Sequence, residues 1–364
     1  MNIGFIGLGL IGGSIAKALK ENTNDIHITV YDINEASLSL AKEDGVADVV
    51  TTAIDDTFSA CDIIFLCAPV QKNAENVAAL KNVLSPTCIL TDVGSVKTDI
   101  AKCIEAHGLT QNFIGGHPMA GSERFGYANA KASLLENAYY ILTPNKNTPA
   151  GHLERLKELV TLTGAIPLII DHKMHDYVTA GISHLPHVIA ASLVNLVKSH
   201  DNEDEIMKTI AAGGFKDITR IASSNADMWQ EICVTNSENI SALLADYIAA
   251  LCDIKASIDS KNGSEIHTFF DEARIYRDSF ISASSGPIKI CYDFTVDISD
   301  ETGALASIAT ILALKQIGIK NIGIVHNREV QTGALRIEFY DEESLNNARD
   351  ILTLRGYTIY AKKL

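Results

Sequence analysis

A histidine lies between glycines and a proline in Gly115-Gly116-His117-Pro118-Met119-Ala120-Gly121-Ser122-Glu123. Glycine lets backbone approach a ligand closely, and Pro118 fixes the chain direction just after the imidazole. An imidazole titrates near neutral pH, so it can take a proton from a hydroxyl while a nearby cofactor takes a hydride. A histidine in a tight turn, bonding only backbone, is the plainer reading of the same residues. A second candidate is Gly213-Gly214-Phe215-Lys216-Asp217-Ile218-Thr219-Arg220. Lys216 and Arg220 are four apart, so one helix face would carry both cations. A guanidinium fork matches a carboxylate, and Asp217 could orient one of the bases. A surface salt-bridge cluster is the alternative, although Phe215, Ile218 and Ile221 give an apolar setting that suits a pocket.

The N-terminus supplies the element that would hold a cofactor. Residues 2–7 read as a short buried strand, and Gly7-x-Gly9-x-x-Gly12 follows at once, before helical sequence from Ser14 to Leu19. A second strand, residues 26–31, ends at Asp32, 20 residues after Gly12. That is the spacing of a dinucleotide-binding βαβ unit, with the pyrophosphate on the helix N-terminus and the acid on the adenosine ribose. Asp32 would repel a 2′-phosphate, and Ile33-Asn34-Glu35 offer no cation for one, which favours NAD over NADP. Further strands at residues 62–67 and 88–92 alternate with helical stretches, as a parallel doubly wound sheet requires. Ligands in such sheets bind beyond the strand carboxyl ends. There lie Cys67-Ala68-Pro69-Val70 and Asp92-Val93-Gly94-Ser95-Val96-Lys97. The expected cofactor set is therefore Gly7, Gly9, Leu10, Ile11, Gly12, Asp32, Cys67, Ala68 and Pro69. Ser95 could face the nicotinamide crevice or cap a helix starting near Val96. Lys97 reads as a solvated helix residue and stays outside the site.

From about Asp171 to Ser282 the chain reads mainly as helices, with apolar residues at helical spacing in 188–197 and 240–248. Such faces are core or dimer interface. His172-x-x-His175 and His184-x-x-His187 have a spacing open to metal, but no Asp, Glu or Cys ligand is obvious at matching spacing, and no metal is expected. Pro186 suits the first turn of a helix, which would place His184 and His187 near its start, facing a cleft or merely packing. Ser282-Ala-Ser-Ser-Gly-Pro287 reads as a linker. Beyond it strand, helix, strand, strand, helix and strand follow in a βαββαβ, ferredoxin-like order. Asp300-Glu-Thr-Gly303-Ala-Leu305 falls at its first strand–helix junction. Gly303 there could meet the carboxylate of a small ligand or simply start a helix.

Composition narrows the partners. A net charge of −15 argues against nucleic acid and anionic membranes. No uninterrupted run reaches the about 18 apolar residues of a membrane span. The apolar N-terminus lacks a basic leader and is broken by glycines, unlike a signal peptide. Seven scattered cysteines without a Cys-x-x-Cys suit reduced thiols in a cytoplasm.

Five stretches, Gly-Leu-Ile-Gly-Gly-Ser (9–14), Asp-Val-Gly-Ser-Val-Lys (92–97), Gly-His-Pro-Met-Ala-Gly-Ser-Glu (116–123), Ser-His-Leu-Pro-His (183–187) and Gly-Gly-Phe-Lys-Asp-Ile-Thr-Arg (213–220), together resemble prephenate dehydrogenase, with no departure from its motifs. The tail resembles an ACT domain, an amino-acid-sensing module whose Asp-x-x-Gly-x-Leu pattern is met by Asp300, Gly303 and Leu305. The resemblance implies three parts: an NAD-binding Rossmann-type domain (1–170), an all-α substrate and dimerisation domain (171–283) and an ACT domain (288–364). It implies oxidation of prephenate by NAD, with loss of carbon dioxide, to 4-hydroxyphenylpyruvate on the route to tyrosine, in a cytoplasmic homodimer. His117 would accept the hydrogen bond of the ring hydroxyl, Ser95 would hold both, and Arg220 would clamp the ring carboxylate. Glu123, His187, Lys216 and Asp217 would lie at or near the pocket, and tyrosine would act through the tail. A neutral His117 acceptor implies activity rising with pH near the imidazole value of about 6.5. Arogenate dehydrogenase shares the mechanism and is the nearest rival. A β-hydroxyacid dehydrogenase relies on a helical lysine instead, and a non-catalytic NAD and amino-acid sensor needs no base beside the nicotinamide.

Overall fold

The computed structural model describes residues 1–122, 124–282, 292–298, 303–325 and 333–361. Glu123, Asp300 and most of the expected linker lie outside these residues. The chain divides into two compact units, Met1–Ala273 and Arg274–Leu364.

The first unit opens with β1 (Asn2–Ile6), α1 (Leu10–Asn22), β2 (His27–Tyr31), α2 (Glu35–Glu43), β3 (Val49–Thr51), β4 (Ile63–Leu66), α3 (Asn73–Leu80), β5 (Ile89–Asp92) and α4 (Thr98–Ala106). β6 (Phe113–Pro118), β7 (Tyr139–Pro144), α5 (Ala150–Leu162) and β8 (Ile166–Ile169) complete an eight-stranded sheet of order β3-β2-β1-β4-β5-β6-β7-β8. Alternation along each strand feeds two cores. Ile3, Phe5, Ile63 and Phe65 face α1 and α5, while Ile6, Ile64, Leu66 and Leu90 face α3 and α4. Helices on both faces of the sheet are the doubly wound arrangement.

Two features depart from the sequence expectation. Gly115, Gly116, His117 and Pro118 form strand β6, not a tight turn. In addition, β7 runs antiparallel to β6. Among the described residues, the connection between them holds short 3₁₀ turns at Tyr127–Asn129 and Ala132–Leu135 and no α-helix to carry the chain back to the far edge, and the next strand starts where β6 ends. That connection packs on α1, where Lys131 N–H donates to Ser14 Oγ at 3.0 Å.

The helical part comprises α6 (His172–Thr179), α7 (Leu185–His200), α8 (Ile206–Ile210), α9 (Gly213–Thr219), α10 (Ala226–Thr235), α11 (Ser237–Asp259) and α12 (Gly263–Ser282). No new helix begins at Pro186. α6 and α7 are one continuous helix, His172–His200, joined by a π-helical turn at Ala180–His184. Proline removes a backbone donor and crowds the carbonyl of the preceding turn. A widened turn just before Pro186 absorbs both effects. This helix is long and apolar enough to cross a membrane by length and composition, although charged and polar residues interrupt its apolar run, and only 17 % of its apolar window is buried in the single chain.

The second unit contains β9 (Tyr292–Ile298), α13 (Ala304–Ala313), β10 (Ile319–Val325), β11 (Gly333–Phe339), α14 (Glu342–Leu354) and β12 (Ile359–Ala361). Its antiparallel sheet has the order β10-β11-β9-β12. Phe294, Val296, Leu335, Ile337 and Phe339 point to one face and meet Ile308 and Leu312 of α13 and Ala348 and Leu352 of α14.

Candidate active site

The cofactor-binding residues read from spacing gather at one edge of the sheet. Gly7 has φ of 94°, a left-handed conformation that a side chain would strain, and a Cβ there would lie 2.6 Å from Ala68 N. The glycine turn thus sits against the end of β4, where Cys67 and Ala68 lie. Gly9 caps α1 without a side-chain hydrogen bond, and the first intrahelical donor is Gly13, bonding Gly9 O at 3.0 Å. The amides of Leu10, Ile11 and Gly12 are therefore without intrahelical acceptors and fit a pyrophosphate. Asp32 is held toward this loop: Oδ2 accepts Leu8 N–H at 2.6 Å and Oδ1 accepts Asn34 N–H at 2.8 Å. These residues fit a dinucleotide.

Beside them, the end of β5 builds the support for His117. Asp92 is buried; its Oδ1 accepts Gly116 N–H at 3.1 Å and its Oδ2 accepts Gly94 N–H at 3.0 Å. The ladder between β5 and β6 stops at Thr91 and Ile114, and the Asp92 carboxylate takes over where it ends. A Cβ at Gly116 would lie 2.5 Å from Asp92 O, so only glycine allows this approach. Lys97 is not a solvated helix residue. It is 1 % exposed, pairs with Asp92 Oδ2 and donates from Nζ to Gly116 O at 2.7 Å. Burial pulls its ammonium pKa down, against the pull of Asp92. Sequence reading missed it because a lysine before a helix is normally wet.

His117 is half-buried at the end of β6, and its Nδ1 lies 2.8 Å from His175 Nε2. His175 Nδ1 in turn lies 2.8 Å from Asp176 Oδ1. His175 and Asp176 are both buried. Asp176 also accepts the backbone N–H of Lys97 at 2.7 Å and of Thr98 at 2.8 Å, capping α4 from a different helix. Consequently α4 starts at Thr98, and Ser95 lies half-exposed in the loop before it instead of capping a helix at Val96. Burial alone would raise the Asp176 pKa, but the hydrogen bonds from His175, Thr98 and Lys97 hold it below the ordinary carboxylate value. Burial, together with His175, Lys97 and His184, holds His117 well below the usual histidine range; the opposing pull of Asp176 is weaker. The neutral form of His117 is thus favoured, and the acid limb expected near 6.5 moves lower.

The widened turn supplies the next group. His184 is 1 % exposed, and burial pushes its pKa down to about 4. Asn236 Nδ2 donates to Asp176 O at 2.8 Å and to His184 Nδ1 at 3.1 Å, while Asn236 Oδ1 accepts from Asn239 at 2.8 Å. His187 Nδ1 bonds Ser183 O at 2.8 Å, and its ring stacks on Trp229 with centroids 3.7 Å apart. Burial and the nearby Arg220 charge lower the His187 pKa. The structure thereby draws Arg220 and His187 together, next to the histidine cluster. Trp229, His175, Asp176 and Asn236 were missed as site candidates; the readable signal was the adjacent His175-Asp176 pair.

α9 differs from expectation. It ends at Thr219, so Arg220 begins a 3₁₀ turn instead of sharing a regular helix face with Lys216. Lys216 and Asp217 are exposed, and Ile218 is 60 % exposed, because this short segment lies on the surface of the single chain. Among the described residues, no hydrogen bond or ion pair joins Lys216 or Asp217 to the histidines. In the second unit, Gly303 (φ 93°) caps α13 and Leu305 is exposed in its first turn.

Comparison with known proteins agrees with this geometry. Residues 15–167 match the family model described as prephenate dehydrogenase, nucleotide-binding domain, and residues 171–272 match prephenate dehydrogenase, dimerization domain. Prephenate dehydrogenase of Bacillus subtilis is 36 % identical over 98 % of this chain and 97 % of its own length. The crystal structure of prephenate dehydrogenase from A. aeolicus, in complex with hydroxyphenyl propionate and NAD+, superposes with a TM-score of 0.73 at 34 % identity, over 77 % of this chain and 98 % of that one. Synechocystis arogenate dehydrogenase superposes with a TM-score of 0.69 at 31 % identity, over 77 % and 100 %. The chain therefore belongs to the prephenate dehydrogenase family.

Proposed function

We propose that this chain oxidises prephenate with NAD, releasing carbon dioxide and 4-hydroxyphenylpyruvate. The observation that carries the reading is an imidazole, His117, fixed by His175 at the sheet edge where the glycine loop also lies, in a setting whose burial favours the neutral form. NAD bound at Gly7–Gly12, Asp32 and Cys67–Pro69 supplies the hydride acceptor. His117 takes the proton of the ring hydroxyl as hydride leaves the same carbon, and the carbinol becomes a ketone. Loss of the ring carboxylate as carbon dioxide then forms an aromatic ring. Ser95 orients the hydroxyl. Arg220 holds the ring carboxylate by a charge-assisted fork, with His187 beside it and Lys216 and Asp217 at the rim; Glu123 is assigned to the same pocket by resemblance alone. Holding carbinol and base in line is mostly a matter of orientation, which the Lys97–Asp92 anchor on Gly116 serves.

The proposal extends to the rest of the chain. Residues 1–170 bind NAD, 171–283 complete the substrate site and pair two copies, and 288–364 form a ferredoxin-like ACT domain. The exposed apolar length of His172–His200 supports the homodimer, and the βαββαβ order with its antiparallel sheet supports the ACT assignment. Tyrosine binding near Asp300, Gly303 and Leu305 would give feedback inhibition, and deletion of 288–364 should abolish it. The free thiols suit a cytoplasmic enzyme. The test is NADH absorbance on mixing protein, NAD and prephenate, with arogenate in parallel. Turnover of prephenate is expected. Turnover of arogenate alone would keep the mechanism and change the substrate, and silence with both would overturn the proposal.

A further inference from the structure

We infer that Asp176 and His175 set the tautomer of His117, fixing the proton on Nδ1 and leaving the Nε2 lone pair for the substrate hydroxyl. The assignment follows from counting donors. Asp176 accepts two backbone N–H groups, from Lys97 and Thr98, as well as the contact from His175. A carboxylate in that position only accepts, so His175 Nδ1 carries a hydrogen. In its neutral form His175 then presents a bare Nε2. The 2.8 Å contact between that atom and His117 Nδ1 is a hydrogen bond only if His117 Nδ1 donates. The opposite polarity would make His117 an Nε2–H donor, unable to accept a proton.

The ring planes stand at 71° with centroids 5.0 Å apart, so the two imidazoles meet edge to edge and neither can swing without breaking the bond. When the substrate proton arrives at Nε2, the imidazolium of His117 still points Nδ1–H at His175, whose far nitrogen rests on Asp176. No proton has to move along the chain. The other charged or titratable groups facing His117 are Lys97, which is paired with Asp92, and His184, whose Nδ1 is occupied by Asn236. Among the described residues, Asp176 is the anion that acts to favour the new charge. His175 and Asp176 are positioning residues, because neither reaches the reacting atoms.

The inference rests on His117 as the base, and its test separates the two claims. Full-length protein labelled with ¹⁵N-histidine should show neutral His117 with a protonated Nδ1 and a bare Nε2, measured without substrate. An Nε2–H tautomer there would overturn the inference, whatever the turnover assay gives. Asp176→Asn offers His175 a donor and should invert both tautomers, lowering kcat by about 10²–10⁴-fold with NAD affinity kept. Unchanged tautomers or a kcat within about threefold would overturn it. Should that variant fail to fold, His175→Gln and His175→Phe decide the matter. Gln still offers His117 an acceptor and should retain kcat about tenfold or more above Phe. Equal losses would mean that His175 only fills space.

Discussion

The two flanks of the candidate site are built differently. On one flank, Asp92, Lys97, His175 and Asp176 are almost fully buried, and each polar group named there has a partner from a different element. On the other, Lys216, Asp217 and Arg220 lie exposed on and after a short helix. Proton transfer demands fixed geometry and a set protonation state, which desolvation and hydrogen bonds provide. Capturing a dianion from water demands reach, which exposed cations provide at the cost of screening. On the proposed function, the buried flank would shape the chemical step and the exposed flank would shape binding.

That contrast breaks most sharply at Lys97. Lys97→Met leaves Asp92 buried without its partner and should cost about 3–5 kcal/mol of stability, read from denaturant melts. An unchanged midpoint would place Lys97 among the wet residues after all. His117→Asn should lower kcat by about 10²–10⁴-fold with little effect on NAD affinity. Near-normal kcat would remove His117 from the chemistry. Arg220→Ala should act mainly on KM, by roughly 10- to 100-fold, the worth of a charge-assisted hydrogen bond. If kcat fell instead with KM unchanged, the division between the flanks would be wrong. Lys216→Ala should change KM by less than about fivefold, and added salt should erase the difference.

A pH series sharpens the same contrast. The folded-state pKa values of His117 and His184 lie below the unfolded value of about 6.5. The neutral forms are therefore favoured by folding. Stability is complete above about pH 6.5 and falls as the pH drops toward the His184 value of about 4, because the unfolded chain then binds more protons. Activity should be level from about pH 6.5 upward, with its acid limb lower. A kcat inflection near 6.5 would show a His117 in contact with solvent.

Local features were legible in the sequence, and contacts between distant segments were not. The glycine loop and Asp32 could be read because their spacing is set within one βαβ unit. The helices and strands of the second unit could be read because alternation and helical period are local. Lys97 could not, because its burial depends on β6, whose Gly116 lies 19 residues away. His175 and Asp176 could not, because their partners lie 58 and 79 residues from them in the chain. The His172-x-x-His175 spacing was open to metal, although none was expected, and Asp176 was not singled out, whereas His175 bonds His117 and Asp176 caps α4. Pro186 was misread for a related reason. Its ring disfavours a regular helix interior, but one π-helical turn makes room for it.

That turn amounts to a single inserted residue, and in a helix one residue is a rotation of about 100°. Upstream of it, His175 and Asp176 are aimed at the nucleotide-binding strands; downstream, His187 is aimed at Trp229 and the neighbourhood of Arg220. Deleting one residue between Ala180 and His184 would leave a smoother helix with its second half turned away. The angular phase between the His175–Asp176 pair and His187 is thus encoded in a count of residues, adjustable by insertion or deletion.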